Sequence, residues 1–391
     1  MKKRTNPTLS RIRNLALIFA VILSFSSCKK KKTENSPFFN LDYKQAILDS
    51  RNDLRTYLLT SSTPGLSITV SIDGKCVWSE GVGYANKELS ALANRNTKYR
   101  IGSASQLFTS FLIAKMQEEG KLNIDSSFYH YIPKFPKKQA DFTIRMLMSQ
   151  VAGFPESSKS EPLELDKNIR TLKDYIKTQE NDSLVYQPNT YFFKSNYSVS
   201  LLGILAEEVA EKKYSKLIYD EILDTLHLEN TFIDDTRSVI KNRSSYYFRD
   251  YIARLINAPE VNLRPLAPAL GFLSTSEDLN TAAQQILAPG FFNQESIDLF
   301  RTPYKLSTGQ QLNSGFGWLV AVDHEGRKLV GQVGNTIGGG SSIAIYPDQK
   351  LVVTMCANLG DELDELPILR IADHFLAKID PREPEKQDPK K

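Results

Sequence analysis

The chain has 391 residues, with 49 basic and 45 acidic side chains and a formal charge of +4. That is enough for one large domain or two small ones, and the absence of a basic patch interleaved with aromatics argues against a nucleic-acid partner. Three cysteines without C-x-x-C spacing give no metal framework, so neither a metal nor another cofactor is expected.

Residues 1–27 read as a signal peptide. Lys2, Lys3, Arg4, Arg11 and Arg13 make a basic start, and Leu15 to Phe25 is an apolar run too short to span a bilayer comfortably. Ser26 and Ser27 then precede Cys28, as at a bacterial lipoprotein cleavage site, although Phe25 stands where such sites carry an aliphatic residue. An ordinary secretory signal with a chance cysteine is the other reading. Lipidation of Cys28 would anchor the chain to a membrane in the cell envelope, with the domain facing the periplasm or the exterior. Lys29 to Lys32 suit an anionic membrane surface. Residues 28–44 are expected to form a tether. Removing the signal takes away five basic and no acidic side chains, which brings the formal charge from +4 to near −1.

Between Asn40 and Ser61, Ile47, Leu54 and Leu58 share a helical face. Leu66, Ile68, Val70 and Ile72 alternate with Ser67, Thr69 and Ser71, which predicts a half-buried strand. Asp73-Gly74 turns the chain, and Cys76 to Gly83 returns as a second strand. A helix is predicted from Ser105 to Glu119, with Phe108, Phe111, Leu112 and Met116 inside and Gly120 as its stop. From Asp125 to about Leu270 the pattern is mostly helical with long loops. Strands return at Lys328 to Gly334, Ser341 to Tyr346 and Leu351 to Asn358, and Leu366 to Lys378 closes the chain as a helix. The charged stretch 379–391 is expected to be disordered. Together these predict an α/β (α+β) fold over residues 45–378: one antiparallel sheet built from both termini, flanked by helices, with an inserted helical region.

The segment Arg100-Ile-Gly-Ser-Ala-Ser-Gln-Leu-Phe-Thr109 has the form of a nucleophile turn. In enzymes that use Ser-x-x-Lys, the i, i+3 spacing puts the lysine beside the serine. Further segments follow in order: Pro64 to Val70, Glu80-Gly-Val-Gly-Tyr84, Glu119-Gly-Lys-Leu122, Tyr131-Ile-Pro133, Thr143-Ile-Arg145, Phe272 to Asp278 and Phe316-Gly-Trp318. Taken together they resemble the penicillin-binding-protein-like serine hydrolases of the class C β-lactamase and D-alanyl-D-alanine carboxypeptidase type. The resemblance covers about residues 45–378. It implies a β-lactamase/transpeptidase-like fold with Ser103, Asn196 and Gly334 around one cleft. It also implies that the strand of Cys76 is separated from that of Cys356 by the strand Ser67 to Ile72. At nearly 5 Å per strand the two thiols would lie about 10 Å apart, free and largely buried.

The motifs that carry the family's chemistry are altered. Ser-x-x-Lys is here Ser103-Ala-Ser-Gln106, Tyr-x-Asn is Lys194-Ser-Asn196, and the strand motif is Gln332-Val-Gly334. A position that is commonly histidine is Gln150, and the glycine after Pro188 is Asn189. His130, His227, His324 and His374 fall at no motif position. Ser103 is the candidate nucleophile, and its backbone N–H with that of Asn335 would form the oxyanion hole if the family geometry holds. Gln106 cannot take a proton, so Lys194, which neighbouring aromatics could help desolvate, is the candidate base; the other reading is that Lys194 is drift in a dead site, with its amine solvated. Asn196 would hold a substrate amide or orient Lys194, and Gln332 would bind substrate without charge. Two functions remain open. One is a lipid-anchored serine hydrolase that acts on a peptide, amide or ester. The other is an inactive relative that binds a peptide or peptidoglycan-like ligand in the same cleft.

Overall fold

The computed structural model describes residues 35–157, 161, 168–360 and 367–381. The signal segment, Cys28, Lys29 to Lys32 and most of the charged 379–391 stretch lie outside them. The folded body starts at Pro37. Phe38–Phe39 pairs with Ser79 and Trp78 as an edge strand, so part of the expected tether belongs to the sheet.

The principal sheet runs Phe38–Phe39, Lys75–Asn86, Gly65–Ile72, Leu351–Ala357, Gly339–Tyr346, Lys328–Thr336, Leu319–Val322, with every neighbouring pair antiparallel. Ala91–Leu92 adds to the long second strand off this path. The two ends of the chain meet at its centre, where Ile68 pairs with Met355. Alternation then assigns the faces. Leu66, Ile68, Val70, Val353 and Met355 pack with Trp78 under the helices Lys44–Ser61 and Ile368–Ile379. His374 joins those helices through Asp53 at 2.8 Å, a packing role.

The opposite face differs from expectation. Ser67, Thr69 and Ser71 do not face water: the helix Ser276–Gln284 covers Thr69 and Ser71, and Ser67 Oγ donates to the Asn94 carbonyl at 2.9 Å and meets the Tyr99 hydroxyl at 3.0 Å. Thr69 Oγ1 meets Ser276 Oγ at 2.9 Å, Ser71 donates to Asn280, and Thr354 Oγ1 donates to the Ser276 carbonyl at 2.7 Å. These hydrogen bonds make a polar seam inside the molecule, so the strand is buried on both faces.

The inserted region carries the helices Leu172–Gln179 and Asn196–Ala210. From residue 232 to 257 it is less helical than expected, with short strands at Phe232–Ile233, Tyr247–Arg249 and Leu255–Asn257. The helix Gln106–Glu118 lies between this region and the sheet. Its residues are buried from Gln106 through Ala114, which suits the core helix its apolar sequence describes.

Candidate active site

Ser103 sits in a single 3-10 turn, Gly102–Ser105, that feeds directly into the helix Gln106–Glu118. Ser105 Oγ ties the turn by donating to the Gly102 carbonyl at 2.7 Å and accepting the Phe272 N–H at 3.1 Å. Ser341 Oγ donates to the Ile101 carbonyl at 2.8 Å. The strand Lys328–Thr336 lies hard against this turn. Its pairing with Leu319–Val322 ends at Gly331, so among the described residues its far end has no strand partner on that side. A Cβ on Gly334 would fall 1.9 Å from the Ile101 carbonyl oxygen, and one on Gly102 would fall 2.4 Å from the Asn335 nitrogen. Only glycines allow this approach, and Gly102 also has φ +56°. Ser103, Gly334 and Asn335 are therefore neighbours.

A cavity of about 400 Å³ opens at Ser103, and its walls include Gln106, Gln150, Lys194 and Gln332. Met148, Phe192, Leu312 and Trp318 supply its apolar surface. Lys194 is the one ionisable side chain among the described lining residues. It is exposed, so it lacks the desolvation that the base hypothesis invoked. No hydrogen bond joins it to Ser103.

The amide orientations follow from backbone donors. The Ser195 N–H must donate, and its partner at 2.7 Å is Gln150 Oε1. That leaves Gln150 Nε2 to donate to Gln106 Oε1 at 3.1 Å. The remaining group of Gln106 is then its NH₂, a donor. Both glutamines are only 8% exposed, so the chain of amides is well shielded from water. Gln150 holds φ +63° while its carbonyl accepts the Phe193 N–H at 3.0 Å, which clamps the segment that carries Lys194.

The other motif residues are differently employed. Gln332 Nε2 donates to the Gly317 carbonyl at 2.7 Å and its Oε1 accepts the Val333 N–H at 3.1 Å, so this side chain is engaged with backbone. Asn196 is not among the residues that line the cavity. It opens the helix Asn196–Ala210, and its Nδ2 donates to Glu161 at 2.6 Å. Tyr175 donates to the same carboxylate at 2.6 Å. Glu161 carried no sequence signal, because its partners lie 14 and 35 positions away at no motif spacing. Asn189 has φ +67°, a conformation asparagine tolerates, which explains how it stands in for glycine.

A model of the Beta-lactamase family matches residues 50–378, most of the chain. The chain belongs to the Beta-lactamase family. Within it, the chain is similar to Protein flp of Staphylococcus aureus (strain N315), 26% identical over 322 residues that cover 81% of this chain and 63% of that protein. It therefore spans less than two thirds of the length of that relative. The fold resembles the octameric penicillin-binding protein homologue from Pyrococcus abyssi, with a TM-score of 0.74, 24% identity and coverage of 85% and 76% of the two chains. It also resembles a class C beta-lactamase, with a TM-score of 0.73, 19% identity and coverage of 88% and 99%. These structural matches bear on the fold alone and agree with the β-lactamase/transpeptidase-like architecture expected from the sequence.

Proposed function

We propose that this Beta-lactamase family member binds a peptide or acylated ligand at its serine cleft without turning it over efficiently, and that Cys28 anchors it by a lipid in the cell envelope. The observation that carries the binding reading is the amide chain from Ser195 through Gln150 to Gln106. It leaves an N–H donor as the free group of Gln106, the position that carries the proton-accepting lysine in Ser-x-x-Lys enzymes. A donor there suits a carbonyl or carboxylate oxygen, and Lys194 adds one positive charge to the same cavity. The apolar walls suit the body of an acyl or peptide group.

Trp318 lines the cavity and is one of only two tryptophans, so ligand entry can be read by intrinsic fluorescence. Titration with an N-acylated D-alanyl-D-alanine dipeptide should change the signal saturably, and the matching dipeptide amide, which lacks the carboxylate, should bind more weakly. Equal affinity for both, or no binding of either, would count against this reading. The anchoring reading rests on the sequence around Cys28. Cys28→Ala should leave the protein out of the membrane fraction, and unchanged membrane association would oppose it.

A second reading is supported by Lys194 sharing the cavity with Ser103: Lys194 accepts the serine proton and the site transfers acyl groups. Fluorophosphonate labelling that is lost in Ser103→Ala and in Lys194→Met would replace binding by catalysis. No labelling of the wild type leaves the binding reading in place.

A further inference from the structure

A second cavity of about 280 Å³ shares no lining residue with the serine cleft. Four cationic side chains line it, Arg170, Lys173, Lys213 and Arg264, against one acid, Glu207. Among the described residues the local acids do not balance them. Glu207 accepts the Tyr214 N–H at 2.9 Å and lies 3.8 Å from Lys213. Asp235 is 3.8 Å from Arg264 but is held more closely by Arg237, at 3.1 Å. Among the described residues no carboxylate pairs with Arg170 or Lys173. At the nearby helix terminus an acid already sits in place: Asp174 accepts the Arg170 and Thr171 N–H groups at 3.1 and 2.9 Å, and its own N–H donates to Thr171 Oγ1 at 3.2 Å. The positive character of the cavity therefore comes from its side chains.

The floor is rigid. Tyr214 is buried, and its hydroxyl meets Thr109 Oγ1 at 2.8 Å. Thr109 in turn donates to the Pro268 carbonyl at 2.7 Å. A preformed hollow ringed by cations in excess is a recognition element for an anion, with arginine forks matched to tetrahedral oxyanions. We infer that this cavity binds a phosphate group, carried either by a soluble phosphate ester or by a lipid headgroup. The inference is independent of whether Ser103 reacts.

The test uses the full chain with Cys28→Ala, so that no lipid anchor takes part. Inorganic phosphate should bind saturably by calorimetry and raise the thermal midpoint above that in sodium chloride of matched ionic strength. Arg170→Ala with Lys173→Ala should weaken phosphate binding at least tenfold. Both residues are exposed, and circular dichroism is to be run to check that the variant is folded. Lys213→Ala is a second variant that should weaken binding on its own. Cosedimentation with phosphatidylglycerol vesicles that phosphate competes away identifies the lipid as the source, whereas phosphate binding without cosedimentation identifies a soluble ester. Either result supports the site. Equal effects of chloride and phosphate, or undiminished phosphate binding in both variants, would overturn it.

Discussion

Gly334 leaves the serine turn no spare room, and the consequence is measurable. Alanine there would drive a Cβ into the backbone at Ile101 and Ala104, and neither neighbour is a flexible side chain that can move aside. Gly334→Ala should cost about 3 kcal/mol or more in urea unfolding. It should also weaken dipeptide binding at the cleft, because strand and turn must separate. The thiols make a second test at this scale. Cys76 is half-buried and Cys356 buried, and both are free. Burial pushes the Cys76 thiol up from 9.0 to about 11, with Glu277 adding to the effect, and burial raises Cys356 as well. The native protein should therefore be alkylated slowly at pH 8, with the Cys76 rate rising about tenfold per pH unit until the thiol ionises. The sign for stability follows. Between pH 9 and about 11 the unfolded chain loses this proton while the folded chain keeps it, so stability should fall across that window. Mass spectrometry after timed alkylation checks the rate, and a Cys76–Cys356 crosslink in the unreduced protein would contradict the assignment.

The short strand Tyr99–Arg100 delivers the serine turn, and one buried ion pair fixes it. Arg100 Nε meets Asp234 Oδ2 at 2.7 Å, its Nη1 donates to the Ile337 carbonyl at 2.9 Å, and its guanidinium lies 3.8 Å from the Tyr246 ring centre. Arg100→Met should destabilise the protein by about 3–5 kcal/mol, because it leaves Asp234 buried with only Arg243, 3.6 Å away. Adding Asp234→Leu should restore part of the loss in the same denaturant measurement, since the stranded charge is then gone. At this level much of the fold was legible in sequence. Period-two alternation marked Gly65–Ile72, and 3.6-residue spacing marked the first terminal helix. The inner polar face was not legible, because serine and threonine alternating along a strand look the same whether they meet water or a polar helix such as Ser276–Gln284. Ser103 and Gln106 were legible because a helix enforces their i, i+3 relation. The link from Ser195 to Gln150, 45 residues apart, has no local pattern to announce it.

Two separate hydrophobic clusters divide the whole molecule. One includes the serine helix and the inserted region, and the other lies under the terminal helices on the opposite sheet face. Because neighbouring residues of a strand point to opposite faces, Leu329 belongs to the second cluster and Val330 to the first. The sheet is thus the partition, and damage on one face should reach the cleft only through strand displacement. Trp78 tests this. It is fully buried in the cluster under the terminal helices, with its ring centre 6.3 Å from that of Phe375. Trp78→Ala should lower stability by about 3–5 kcal/mol through the cavity it leaves. At temperatures where the variant remains folded, its dissociation constant for the dipeptide should match that of the wild type. The same substitution leaves Trp318 as the sole tryptophan, so the fluorescence change then reports the cleft alone. A dissociation constant that moves along with stability would mean that the sheet transmits strain between its faces and that the cleft depends on the packing of the terminal helices.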